Sequence, residues 1–147
     1  MRAEDLAQIF AGAVAPGVYR FAAQIPPAVA AAAAEKYGWR FFYIDGRTVF
    51  DKSTFLATAA QAFGFPLYFG HNWDAFEEMV NDLSWAPGAG YLLLYDDVAN
   101  FATNAPDEWA VALDILHHAV ATWRAQGLPL IVLLRRLGRE ATALSSL

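Results

Sequence analysis

Apolar residues in this chain follow two alternating periods, and the alternation predicts its elements. "EDLAQIFAGAVAPG" near the start carries apolar side chains at helical spacing and stops at Pro16 and Gly17, and "VYRFA" after it reads as a short strand. The alanine run from Ala28 to Ala34 lies between Pro26, Pro27 and Gly38, which are start and stop signals for a helix. "WRFFYIDG", Trp39 to Gly46, is aromatic and β-branched and closes on an Asp-Gly turn signal, as a buried strand does. A helix is expected through "TFLATAAQAF", with Asp51 or Ser53 as its cap and Gly64 and Pro66 as terminators. Another follows Asn72, a natural N-cap, with Trp73, Phe76, Val80 and Leu83 on one side. "YLLLY", Tyr91 to Tyr95, is almost continuously apolar, which suits a parallel strand covered on both faces. "DDVANFATN" has room for one short helical turn. "APDEWAVALDILHHAVATWRAQG" is the best-marked helix, with Pro106 in its first turn, Asp107 and Glu108 at the positive end of the dipole, Arg124 in the last turn and Gly127 as the stop. "LPLIVLL", Leu128 to Leu134, is a third apolar strand, and the tail "GREATALSSL" carries no clear signal. Strands alternating with helices imply an α/β domain with a small, mainly parallel sheet, to which "VYRFA" adds a fourth strand.

Composition narrows the class. A chain of 147 residues with 57% hydrophobic, 15% aromatic and 17% charged residues suits a single compact domain. The absence of cysteine excludes disulfides and thiolate metal sites. Glu4 and Asp5 stand where a secretory signal would carry basic residues, and the alanine run is too short to span a membrane, so a soluble cytoplasmic protein is expected. The net charge of -5 is unevenly spread: no Lys or Arg occurs between Lys52 and Arg124, an interval that holds Asp74, Glu77, Glu78, Asp82, Asp96, Asp97, Asp107, Glu108 and Asp114. Such a segment repels nucleic acid and attracts a cationic protein surface. No catalytic machinery is expected: no serine sits in a nucleophile elbow, and "GAG" at Gly88 to Gly90 lacks the spacing and the Lys of a phosphate loop.

On a helix at about 100° per residue, Asp74, Glu77, Glu78 and Asn81 share a face opposite Phe76, Val80 and Leu83, with Asp82 at its margin. Like charges one turn apart cost an isolated helix about 0.2 to 0.5 kcal/mol per pair, and Asp82 also opposes the dipole. Three readings compete. The face is ordinary solvated surface, or His71, Asp74 and Glu78 form a metal or acid-base site, or the carboxylates dock a basic partner with Tyr68 and Trp73 as aromatic anchors. Asp114, His117 and His118 lie within one turn, but adjacent histidines splay by about 100°, so a mixed polar face is the better reading.

The stretch Tyr68 to Leu83, "YFGHNWDAFEEMVNDL", resembles the barstar family of bacterial ribonuclease inhibitors, whose signature is Tyr-(Tyr/Phe)-Gly-x-Asn-x-Asp-Ala-(Leu/Phe) followed by an acidic helix. "FYIDG" is similar to the family's first strand and turn, and "YLLLY" and "QGLPLIVLL" to its second and third strands. The likeness therefore covers Trp39 to Leu134, leaving residues 1–38 as an N-terminal extension packed on the sheet and 135–147 as a tail of the same domain. The resemblance implies an intracellular inhibitor of the immunity or antitoxin type, without cofactor or metal, that plugs the basic cleft of a barnase-like ribonuclease; the sequence leaves the oligomeric state open, with a monomer expected. It maps Tyr68, Gly70, Asn72, Asp74 and Glu78 onto the inhibitory face, with His71, Trp73, Glu77, Asn81 and Asp82 completing the partner-binding surface. Three positions depart from the best-known member: Glu78 replaces Asp, Glu77 replaces an aromatic or amide residue, and Thr122 stands where that member has a further contacting acid. The alternatives are an acidic module for a partner that is not a nuclease, and a metal-dependent hydrolase built on His71, Asp74 and Glu78.

Overall fold

The computed structural model describes residues 5–66, 69–138 and 144–147. In chain order the elements are α1 (Leu6–Phe10), β1 (Gly17–Arg20), α2 (Pro27–Lys36), β2 (Arg40–Asp45), a 3-10 turn (Gly46–Thr48), α3 (Lys52–Phe63), α4 (Trp73–Asp82), β3 (Tyr91–Asp96), α5 (Ala99–Asn104), α6 (Pro106–Ala125), β4 (Leu130–Leu134) and β5 (Ser145–Ser146). The strands form one sheet in the order β2-β3-β4-β1-β5, and every pairing is parallel. The small, mainly parallel sheet packed with helices is thus present, with "VYRFA" as its fourth strand.

Parallel strands need crossovers, and the crossovers cover both faces. Successive side chains alternate, so Phe42, Ile44, Leu93, Tyr95 and Val132 enter a core beneath α3, α4, α5 and α6, whereas Leu92, Leu94, Ile131 and Leu133 meet Leu6, Ile9, Phe10, Phe21 and Ile25 of the first part of the chain. This double cover makes every residue of β3 and β4 buried. It also puts α4 and the helices α1 and α2 on opposite faces of the sheet, with β1 within the sheet.

Local signals set most boundaries. Asp51, rather than Ser53, caps α3: its side chain accepts from the Thr54 amide while the Thr54 hydroxyl oxygen accepts from the Asp51 amide. Gly64 ends α3 in the left-handed conformation. The first helix stops at Phe10, short of the apolar spacing that runs on to Val14. The tail supplies β5, which pairs Ser145 with Tyr19 and Ser146 with Arg20; two serines offer no apolar period by which to find it.

Two charged side chains are buried at the C-terminal edge of the sheet, Asp96 at 4% exposed and Arg135 at 5%. The Arg135 guanidinium donates to both Asp96 oxygens, its Nη2 at 2.8 Å from Oδ2, and its Nη1 donates to the carbonyls of Ala23 and Ile25 at 2.8 Å each. The Tyr43 hydroxyl donates to Asp96 at 2.8 Å, and Arg136 adds an ion pair at 3.3 Å. Burial pushes the Asp96 carboxyl upward, but the hydrogen bonds from Arg135 and Tyr43 and the two guanidinium charges outweigh it and hold the group below its ordinary range. The same environment, burial first and then the hydrogen bond to Asp96, pushes the Tyr43 phenol up to about 12.

Candidate functional site

The loop before α4 is held by its own backbone and two rings. Phe69 is buried against Phe65, with ring centroids 4.9 Å apart, and the His71 ring packs on Phe69 at 4.8 Å. His71 takes a left-handed φ of 50° and its Nδ1 donates to the Phe69 carbonyl at 3.1 Å. Asn72 then starts the helix: its Oδ1 accepts from the Ala75 amide at 2.8 Å, and its Nδ2 donates back to the Gly70 carbonyl at 3.3 Å. Tyr68 lies outside the described residues.

The inner side of α4 is Phe76, Met79 and Val80, all buried; Met79 joins the stripe that the spacing of Phe76, Val80 and Leu83 marks. Leu83 is the C-cap rather than a helical residue, with a left-handed φ of 46°, and its side chain is still buried. Two indoles fix the helix along α6. At the N-terminal end Trp73 Nε1 donates to Glu108 at 2.7 Å, and at the C-terminal end Trp123 Nε1 donates to the Val80 carbonyl at 2.9 Å, so the helices run in the same direction. Trp73 is half-buried against Phe55, at 5.7 Å between centroids, which makes it only partly available as an anchor.

The outer side carries the charge. Asp74, Glu77, Glu78 and Asp82 are all exposed, and none has an ion-pair partner among the described residues. Asp82 accepts a hydrogen bond from Ser84 at 3.1 Å. Asn81 does not stand free beside them: it is half-buried and its Oδ1 is buried without a hydrogen-bond partner. Basic side chains gather instead at the C-terminal edge of the sheet, where Arg47 pairs with Asp45, Arg135 with Asp96, and Arg136 with Asp96 and Asp97. Lys52 Nζ lies 5.8 Å from the ring centroid of Trp73, the first residue of α4. Lys52 and Glu108 are the neighbours that sequence spacing does not find, because both reach Trp73 from distant helices.

Among the described residues no group of three or more His, Asp or Glu side chains could hold a metal ion. The structure therefore does not assemble His71, Asp74 and Glu78, nor Asp114, His117 and His118, into a metal centre; the latter three lie exposed on α6. No helix among the described residues is long and apolar enough to cross a membrane. Thr122 is half-buried, next to the Trp123 that holds α4.

A family model described as Barstar (barnase inhibitor) matches residues 39–135. The chain belongs to the barstar family. The matched span begins at Trp39, as the sequence likeness does, and runs one residue past Leu134 to include Arg135. The family's description is that of an inhibitor. No curated protein matches this barstar-family chain. Among solved structures it is similar to the ORC2 protein of Aeropyrum pernix in its ADPNP-ADP complexes, with a TM-score of 0.62 and 17% identity over 95% of this chain and 41% of that one. The ADP form of the same protein gives a TM-score of 0.62 at 14% identity, covering 95% and 40%. The Cdc6p protein of Pyrobaculum aerophilum gives 0.54 at 17% identity, covering 90% and 38%. At such identities the likeness is one of fold, and the chain spans about two fifths of those proteins. Its coverage takes in most of the residues before Trp39, so the shared fold extends beyond the span matched to barstar.

Proposed function

We propose that this barstar-family protein is a non-catalytic inhibitor of a basic, barnase-like ribonuclease, acting by seating α4 and the loop before it in the enzyme's cleft. The observation that carries this reading is the row of exposed, unpaired carboxylates on a helix whose inner side is locked to the core. A ribonuclease binds phosphates with Arg, Lys and His, and a carboxylate on a rigid support can take the place of a phosphate oxygen pair with little ordering cost. Asp74, Glu77, Glu78 and Asp82 are the proposed contacts, with Tyr68, Gly70, His71, Asn72, Trp73 and Asn81 shaping the surface around them. Glu78 is one methylene longer than Asp, so the complementary cleft differs from that of the best-known member's target. In this role the protein acts as a monomer in the cytoplasm, as an immunity or antitoxin protein that guards the cell against its own nuclease.

Titration against a barnase-like ribonuclease from the same cell tests the reading. Asp74→Ala and Glu78→Ala are each expected to weaken binding at least tenfold, with the melting temperature of the free protein unchanged, and the association rate should fall steeply with added salt. Unaltered affinity in both variants, or binding indifferent to salt, overturns it.

A further inference from the structure

We propose that the docking surface continues from α4 across Trp73 into a pocket between the N-termini of α3 and α6, and that this pocket takes an arginine side chain of the cationic partner. The inference rests on the reading of α4 as a docking helix. The pocket is a cavity of about 460 Å³ with Leu56 and Ala105 as its apolar surface and Asp51, Lys52, His71 and Glu108 around them. Its place is set by the bond from Trp73 Nε1 to Glu108 Oε2, since Trp73 is the first residue of α4 and Glu108 stands in the first turn of α6.

Three observations point to a cation as the occupant. Glu108 is fixed by a neutral donor: the indole orders one oxygen without neutralising the carboxylate, and Glu108, like its neighbour Asp107, has no ion-pair partner among the described residues. The Trp73 ring already attracts a cation, the ammonium of Lys52 at 5.8 Å from its centroid. Lys52 is also the last base before the long acidic interval, so the chain's own side chain occupies the place where a partner's charge is favoured. An arginine fits better than a second lysine. Its planar guanidinium can stack on the indole while donating to Glu108, and its methylene stem matches Leu56 and Ala105. Lys52, on a flexible stem at the start of α3, can swing aside at the cost of one half-buried cation-π contact.

Stopped-flow and equilibrium titration against the same ribonuclease test this with two variants and one control. Glu108→Gln keeps an acceptor for Trp73 and removes the charge; a roughly tenfold loss of affinity is expected, with an unchanged melting temperature. Lys52→Ala vacates the Trp73 ring and removes a like charge from the pocket, and binding should tighten several-fold. A double-mutant cycle between Glu108→Gln and Arg→Ala changes in the nuclease should find one arginine whose effect disappears in the Glu108→Gln background. If Asp74→Ala weakens binding but neither pocket variant changes it and no arginine couples to Glu108, the pocket lies outside the footprint and this inference fails while the parent reading stands. If Asp74→Ala is also without effect, both fail.

Discussion

Asp96 and Arg135 lose nearly all their water at the ends of two covered strands, and what replaces it is a set of hydrogen bonds that ties β3, β4 and the Ala23 to Ile25 loop together. Asp96→Ala strands a buried guanidinium, so a loss of about 3 to 5 kcal/mol is expected in a denaturant titration. The pH response has a definite sign. The folded carboxyl is held below its unfolded value, so its contribution is complete above the ordinary carboxylate range and disappears as pH falls through the folded pKa. Tyr43 works the other way: with its phenol raised from 10.0 to about 12, its contribution is complete below 10.0 and lost between there and about 12. Stability measured across alkaline pH should therefore fall in that window for the native chain and less steeply for Tyr43→Phe. Neither partner is identifiable from the sequence, where Asp96 reads as the end of one apolar run and Arg135 as the start of a tail. Their pairing spans 39 positions, which no local period can report.

Helix α4 is the element whose behaviour follows most directly from its own residues. Its cap, its inner stripe and its charged side all lie within a dozen positions, so spacing is enough to place them. Asn72→Ala removes the acceptor of the Ala75 amide and should cost about 1 kcal/mol in stability. Glu77→Lys replaces a like charge one turn from Asp74 with an opposite one, which should stabilise the free protein by a few tenths of a kcal/mol while slowing association with a basic partner. Opposite effects in thermal melting and in association rate would show that the charge is arranged for a partner at the expense of the helix. What spacing misses is the attachment of α4 to α6, since the indole bonds from Trp73 to Glu108 and from Trp123 to Val80 join residues 35 and 43 positions apart.

On the scale of the whole molecule the residues before Trp39 are a structural half of the sheet's cover. Leu6, Ile9, Phe10, Phe21 and Ile25 close over Leu92, Leu94, Ile131 and Leu133, and at about 1.5 to 3 kcal/mol per buried side chain their burial is worth on the order of 10 kcal/mol. That is comparable with the whole stability of a typical domain, roughly 5 to 15 kcal/mol. A chain beginning at Trp39 should therefore fail to give a cooperative unfolding transition and should aggregate in size-exclusion chromatography, even though the family match lies wholly within it. The covered face also keeps helices α1 and α2 on the side of the sheet away from α4. By itself the sequence determined the strands and helices other than β5, the cap and charged side of α4 and the likeness to barstar, because each is written in neighbouring residues whose propensities and spacings act locally. Only the tertiary structure decided that β1 inserts between β4 and β5, that Asp96 meets Arg135, and that Trp73 joins Glu108 under Lys52. Those contacts depend on which distant apolar faces can be buried together, a global choice that no single segment contains.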